Sequence, residues 1–250
     1  MSPMTIGWIA FGCVFGGSVL GMLLGHVMRR QNEPVIEGSR AIVQLTMGPI
    51  AMMAALVLAL LINSAKTSFD TQRNYVTELA ADAIELDRIL AHFGSETSDA
   101  RALLRTIVVG GVGRGLWGSS EQRKVGRAET NKFAKEIRNL APRTDFQRSL
   151  YAEAISSATQ MSRTRALLFG QINGTIPMPF LVVLIFWFAT LFGSFGLYAR
   201  PNALVFGILI IGALSVACAI YLVLQLDRPF GGLIEISVTP LSDALEVMGK

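Results

Sequence analysis

The sequence predicts an all-α membrane protein, with four transmembrane helices and a helical domain inserted between the second and the third. Three observations carry that expectation. Charged residues make up only 16% of the 250-residue chain, against roughly 25% in a typical soluble domain. The deficit is segregated, because residues 1–28, 41–65, 166–199 and 201–226 contain no charged side chain. Each of these blocks exceeds the ~20 residues a helix needs to cross a bilayer core. All 22 basic and 18 acidic residues fall in the remainder. With 52% hydrophobic residues and a mean hydropathy of +0.49, a soluble globular enzyme, a disordered chain and a secreted disulfide scaffold are excluded.

The first span is read at residues 6–28. It lacks a basic segment ahead of it and is followed by Arg29 and Arg30, so a retained helix is expected rather than a cleaved signal peptide. Gly17, Gly21 and Gly25 form overlapping GxxxG repeats, with Gly12 and Gly16 on a neighbouring stripe. Small residues at this spacing let helix backbones approach closely in lipid, which points to packing and not to chemistry. A polar loop at residues 29–40 is expected to lead into the second span at 41–63. Residues 1–65 thus read as a transmembrane hairpin.

From Phe69 onward, apolar residues recur at Phe69, Val76, Ala83 and Leu90, and again at Leu79, Leu86 and Phe93. These are two interleaved seven-residue repeats of the kind that forms a helical seam, with Gln72 as its one polar member. Run backwards, the same register passes through Ala65, Ile62, Leu58, Ala55, Ala51 and Gly48. Neither Gly nor Pro interrupts residues 50–92. The second span is therefore expected to leave the membrane as one continuous rod, ~60 Å long at 1.5 Å per residue. Asp82, Glu85, Asp87 and Arg88 read as the rod's solvated face.

The inserted domain, residues 66–165, continues through a loop after Gly94 into helices at about 99–109, 128–140 and 144–169. The last opens with Thr144-Asp-Phe-Gln147, a capping box, and carries an apolar stripe through Phe146, Leu150, Ala154, Ala158 and Met161. Gly113-Arg-Gly115-Leu-Trp-Gly118 matches G-x-G-x-x-G in form, but helices flank it where a dinucleotide site needs a βαβ unit. Nucleotide binding is not expected from it. The domain holds 16 basic and 12 acidic residues with the signs interspersed, and no dense basic stripe with aromatics suggests nucleic acid. Spans three and four follow at 176–198 and 203–226, a second hairpin within residues 166–226, leaving 227–250 as a tail.

Little in the chain supports catalysis. His26 and His92 have no second ligand at metal-binding spacing, and no Ser/His/Asp, paired-carboxylate or CxxC arrangement is present. Cys13 and Cys218 both lie in apolar blocks, where a thiol behaves as a small hydrophobe. No cofactor or metal is expected. Lys66, at the membrane exit of the second span, and Arg73, one heptad later, would concentrate anions if several copies of that helix surrounded an axis. Basic residues flanking the spans divide four against five between the two membrane faces, so charge alone does not assign the topology.

The fourth span ends in Asp227-Arg-Pro229-Phe230-Gly231, which as pure structure redirects the tail. This turn resembles the acidic-x-Pro-Phe-Gly turn of bestrophins. The order of two spans, a helical insertion extending the second, two further spans and a tail is also similar. More closely, the chain resembles the bacterial bestrophin-like domain family, through the rod at 75–94, Arg163-Thr-Arg165, Ile176-Pro177 and the Asp227 turn. The resemblance implies a homo-oligomeric ring of five subunits that conducts small anions such as chloride through an axial pore. Helix two would line it, with a hydrophobic neck from Ala55, Leu58, Ile62, Ala65 and Phe69 and a basic mouth at Lys66 and Arg73. It also implies a bacterial inner membrane location, with the N-terminus, inserted domain and C-terminus cytoplasmic. Animal bestrophins follow the turn with an acidic calcium-binding cluster, whereas here only Glu235 follows closely. The alternative is a membrane-anchored helical scaffold that oligomerises and recruits partners, its seam a coiled coil without a lumen. A cation pathway would call for acidic rings in or beside the pore, and the second span contains none.

Overall fold

A computed structural model of the chain describes residues 2–112, 120–171, 177–227 and 235–249, the side chains of 29–39, 120–123 and 171 excepted. Among these residues the regular elements are helical. They are α1 (Pro3–Phe93), a 3-10 turn at Ser95–Thr97, α2 (Ser98–Gly110), α3 (Ser120–Arg138), α4 (Asp145–Gln171), α5 (Met178–Tyr198), α6 (Ala203–Leu226) and α7 (Thr239–Met248). Two compact units form: Met1–Ser68 with Gly174–Ile234, and Phe69–Asn173 with Glu235–Lys250.

In the first unit, glycines set the spacing. Gly17 faces Ala189, Gly21 faces Gly193 and Gly25 faces Leu197. Matching steps of four in the same direction make the start of α1 parallel to α5. A Cβ added at Gly17 would stand 2.6 Å from the carbonyl oxygen of Ala189, and at Gly21 and Gly25 closer still to their opposing carbonyls. Gly196 meets the backbone of Ser18 and Met22 just as tightly from the other side. These are backbone-to-backbone contacts that no side chain could occupy. Gly12 and Gly16, by contrast, face open space.

Later in α1 the order of neighbours reverses. The Arg40 guanidinium lies 5.9 Å from the centre of the Tyr198 ring, and Met47, Gly48 and Ala51 share a cleft of about 430 Å³ with Leu191, Ser194 and Phe195. The chain therefore doubles back between Met28 and Arg40, so that residues 40–65 run antiparallel to α5. The polar loop expected at 29–40 has helical backbone within α1, so the reversal is made inside a stretch of helical hydrogen bonding. Arg, Gln and Glu are good helix formers; in this stretch Pro34 removes one helical N–H donor and Gly38 lowers the helix propensity. The core of the unit collects Ile6 and Ala10, Ala54, Leu61 and Ala65, Leu181 and Leu184, and Ile220 and Val223. α5, the helix of the expected third span, starts at Met178 behind an extended Pro177, and Ile176 lies outside the described residues.

The second unit contains the last part of α1, from Phe69. Gly94 ends the helix at φ 129°, a left-handed conformation that favours glycine. The Thr97 hydroxyl donates to the carbonyls of Leu90, at 2.6 Å, and Gly94, at 2.8 Å. α2 then packs on α3 and α7, and α3 on α4. The Thr144 box forms in part: its hydroxyl accepts from the Gln147 amide at 3.1 Å. The Gln147 side chain accepts from Arg143 N–H and donates to the Phe93 carbonyl at 3.1 Å, closing the C-terminus of α1. Of the apolar stripe expected on α4, Ala154 and Met161 are buried and Leu150 and Ala158 half-buried, the line continuing to Leu168, while Phe146 is 65% exposed. The tail carries a helix that sequence reading missed, α7, which buries Leu241, Ala244 and Met248.

The glycine contacts give a direct test. Gly21→Ala inserts a methyl group against a backbone carbonyl that cannot rotate away, and is expected to destabilise the fold by ~1–3 kcal/mol. Gly12→Ala and Gly16→Ala, facing open space, should leave the folded monomer unaffected. Apparent Tm of the three variants in one detergent measures the contrast, and equal values would refute it.

Candidate functional site

Residues 40–65 of α1 are the candidate pore-lining helix, and their burial is one-sided. Ala54, Leu61 and Ala65 are buried, with Val43, Met47, Ile50 and Val57 half-buried along the same face. The opposite face leaves Ile42, Leu45, Met52, Leu56 and Leu60 exposed. The most apolar window of Arg40–Phe93 has 11% of its residues buried, against 33% for Pro3–Met28 and 22% for each of the last two spans. The second span is thus the one least covered by its own chain.

The heptad seam and the buried stripe separate along this stretch. An α-helix repeats every 3.6 residues, so a seven-residue pattern drifts ~20° per heptad around it. In the second unit the two coincide: Gln72, Val76, Leu79, Ala83, Leu86, Leu90 and Phe93 are all buried. In the first unit, Ala65 is fully buried in the core, Leu58 is half-buried, and Ala55 and Ile62 are exposed, Ile62 by 42%. Phe69 is half-buried. The seam residues thus lie on the flank of the inward face, open to a neighbour or a lumen. Lys66 and Arg73 are exposed, as is Asn63 one turn before Lys66.

Two acids expected on a solvated face are buried, because α1 here is covered on more than its apolar seam. Asp87 is 6% exposed and receives two hydrogen bonds from Arg101, from Nε and Nη2, both at 2.8 Å. The signal was present in the sequence. Asp87 and Arg101 stand seven residues on either side of Gly94, so antiparallel helices meeting at that turn bring them level. Asp82 is 5% exposed; its Oδ1 accepts from Gln160 Nε2 at 3.3 Å, while its Oδ2 makes no hydrogen bond. Burial raises the Asp82 carboxyl above its ordinary range, Glu78 and Glu85 add to the rise, and the Gln160 bond opposes it. His92 is exposed, with Nδ1 2.7 Å from the Arg88 carbonyl. His26 is exposed, and so are the free thiols of Cys13 and Cys218.

Asp227 is the C-cap of α6, its N–H directed at the carbonyls of Val223 and Gln225. Pro229, Phe230 and Gly231 lie outside the described residues, as does Gly113–Gly118. The four stretches Pro3–Met28, Arg40–Phe93, Met178–Tyr198 and Ala203–Leu226 are each long and apolar enough to cross a membrane. A profile described as the bestrophin-like domain matches residues 12–241, which takes in α1 through most of the tail. The chain belongs to the bestrophin-like domain family. No curated protein and no solved structure matches it significantly. This bestrophin-like chain is accordingly a membrane protein. Among its described residues, no group of three His, Cys, Asp or Glu side chains is placed to hold a metal ion.

The raised Asp82 carboxyl has a consequence for stability. At low pH it is protonated in both folded and unfolded chains and costs nothing. As pH rises from the ordinary carboxylate value of ~4 through the raised folded value, ionisation favours the unfolded chain. Asp82→Asn keeps an oxygen for Gln160 and removes the charge. Its apparent Tm should exceed that of the wild type at pH 7, and the difference should close below about pH 4. A gain that is independent of pH would exclude this cause.

Proposed function

We propose that this bestrophin-like chain forms a homo-oligomeric ring, five copies around an axis, that passes small anions such as chloride. Each subunit spans the membrane four times. Residues 40–65 of α1 line the axis, and the N-terminus, inserted domain and tail face the cytoplasm of a bacterial inner membrane. The observation that carries this reading is the 11% burial of the second span, the lowest of the four. So little cover from its own chain leaves this helix and its seam free to pack against further copies, and the regular seven-residue repeat is the pattern by which helices do so. The seam residues left open, Ala55 and Ile62, with Leu58 and Phe69 half-open, form the hydrophobic neck, and Ala65 supports it from the subunit core. A constriction of this type gates by dewetting. Lys66 and Arg73, both exposed, supply the basic mouth that draws anions towards it.

The purified protein reconstituted in liposomes tests the reading through chloride efflux. Wild-type protein should conduct, Ile62→Trp should reduce efflux on the order of tenfold or more, and Ile62→Ser should raise it by wetting the neck. Absence of efflux together with a dimeric or trimeric mass in detergent would instead favour the non-conducting scaffold. Efflux indifferent to residue 62 would remove the neck from the proposal.

A further inference from the structure

A second candidate site lies within the second unit, away from the seam, in the cleft between α3 and α4. Arg127, Thr130 and Asn131 share one face of α3 at i, i+3 and i+4. Ser162, Arg165 and Phe169 share one face of α4 at i, i+3 and i+7. Together they line a cavity of about 350 Å³, which falls in the range of small-ligand sites. Its polar groups are two guanidiniums, two hydroxyls and an amide. From this geometry we infer that the α3–α4 cleft binds a phosphate group, held between Arg127 and Arg165.

The argument begins with Arg165. It is half-buried, stacked 5.5 Å from the centre of the Phe169 ring, and donates a hydrogen bond from Nη1 to the Thr130 hydroxyl. That hydroxyl in turn donates to the Gly126 carbonyl at 2.8 Å, so Thr130 anchors the guanidinium to the α3 backbone. Among the described residues, no carboxylate forms an ion pair with Arg165 or Arg127. Glu129 favours the Arg165 charge from a distance, Arg127 opposes it, and burial lowers the guanidinium from its ordinary range as the leading effect. Arg127, at the mouth of the cleft, is exposed, and an anion joining it to the half-buried Arg165 would relieve their mutual repulsion. Arginine pairs suit phosphate in particular, because each planar fork matches two of its oxygens.

Gly126 is independent support. A glycine inside a helix costs ~1 kcal/mol relative to alanine, and Gly126 lies within α3. A Cβ there would stand 2.6 Å from Arg165 Nη2. The missing methyl is the space the guanidinium fills. The phosphate has two possible sources, a soluble phosphate compound or a lipid headgroup. The two sources share the phosphate chemistry, and the probes below distinguish them.

The test uses the full-length protein. Inorganic phosphate is titrated by calorimetry in detergent, and retention of phosphatidic acid over phosphatidylcholine is read by native mass spectrometry from mixed nanodiscs. At least one probe should bind. Binding of inorganic phosphate assigns the soluble source, and retention of phosphatidic acid alone assigns the lipid. Arg165→Gln and Arg127→Gln should each weaken the bound probe by about tenfold or more. Gly126→Ala should weaken it too by displacing Arg165, while the apparent Tm stays level or rises, so lost folding cannot account for its effect. If neither probe binds, or binding persists when Arg127 and Arg165 are both replaced by glutamine, the inference is overturned.

Discussion

The first unit depends on how closely α5 and the start of α1 approach. Helices in lipid gain little from burying apolar surface, since the surroundings are as apolar as the side chains, so association rests on close van der Waals contact. Gly17, Gly21 and Gly25 on one side, with Gly193 and Gly196 on the other, bring backbone against backbone along two and a half turns. Such a contact fixes the register of both helices, because a shift of one residue would put Ser18 or Met22 where only a hydrogen fits. With α5 held in this way, the returning part of α1 packs along it through the single stripe that ends in Ala54, Leu61 and Ala65. Its remaining faces stay uncovered. The tightness of one helix pair and the exposure of the second span are therefore two sides of the same arrangement.

The continuity of α1 adds a second constraint. One helix carries a pattern near seven residues through the first unit and into the second, and the environment of that pattern changes along the way. From Gln72 to Phe93 it is met by partners in its own chain and is buried almost without exception. Before Ala65 the buried face follows the natural helical repeat, and the heptad falls off its edge at Ile62 and Ala55. A seven-residue repeat that a chain does not bury for itself is open to lipid, to another copy or to a lumen, and the proposed ring uses it for the last two. This is why the same sequence pattern acts as core in one unit and as the candidate functional surface in the other.

Much of this was legible in the sequence. Uncharged blocks located the four apolar stretches, because in lipid every backbone group must be bonded within its own segment and helices are the economical solution. The glycine spacing marked a close helix contact, although Gly12 and Gly16 have the same spacing and meet nothing. What the sequence concealed depended on tertiary partners. Asp82 occupies a position that amphipathic patterning assigns to solvent, and its partner Gln160 lies 78 residues away; Asp87 has the same patterning, and its link to Arg101 shows in the sequence only as their equal spacing about Gly94. Phe146 satisfied a periodic pattern yet found no neighbour. Residues 29–40 read as loop from their polarity, whereas helix formation depends on backbone propensity, which Arg, Gln and Glu satisfy. α7 was too short and too mixed to stand out before its packing on α2 was known.

The buried and half-buried charges of the second unit form a graded series, and the grading carries information. The Asp87 carboxylate is fully answered, with both oxygens bonded to one arginine fork. Asp82 is answered at one oxygen by a neutral amide, and its carboxyl shifts towards the uncharged form in response. Arg165 has no such relief, because a guanidinium holds its proton under all ordinary conditions. Its partners in the chain are a hydroxyl and an aromatic face, which orient the charge without neutralising it. A carboxylate could have been placed at Asn131 or Ser162 with no change in helix register, and the cleft would then be an ordinary internal salt bridge. Instead those positions hold neutral hydrogen-bonding groups beside a second arginine. An arrangement that keeps two cations, neutral hydrogen-bonding groups and open volume together is the one that the proposed anion would complement.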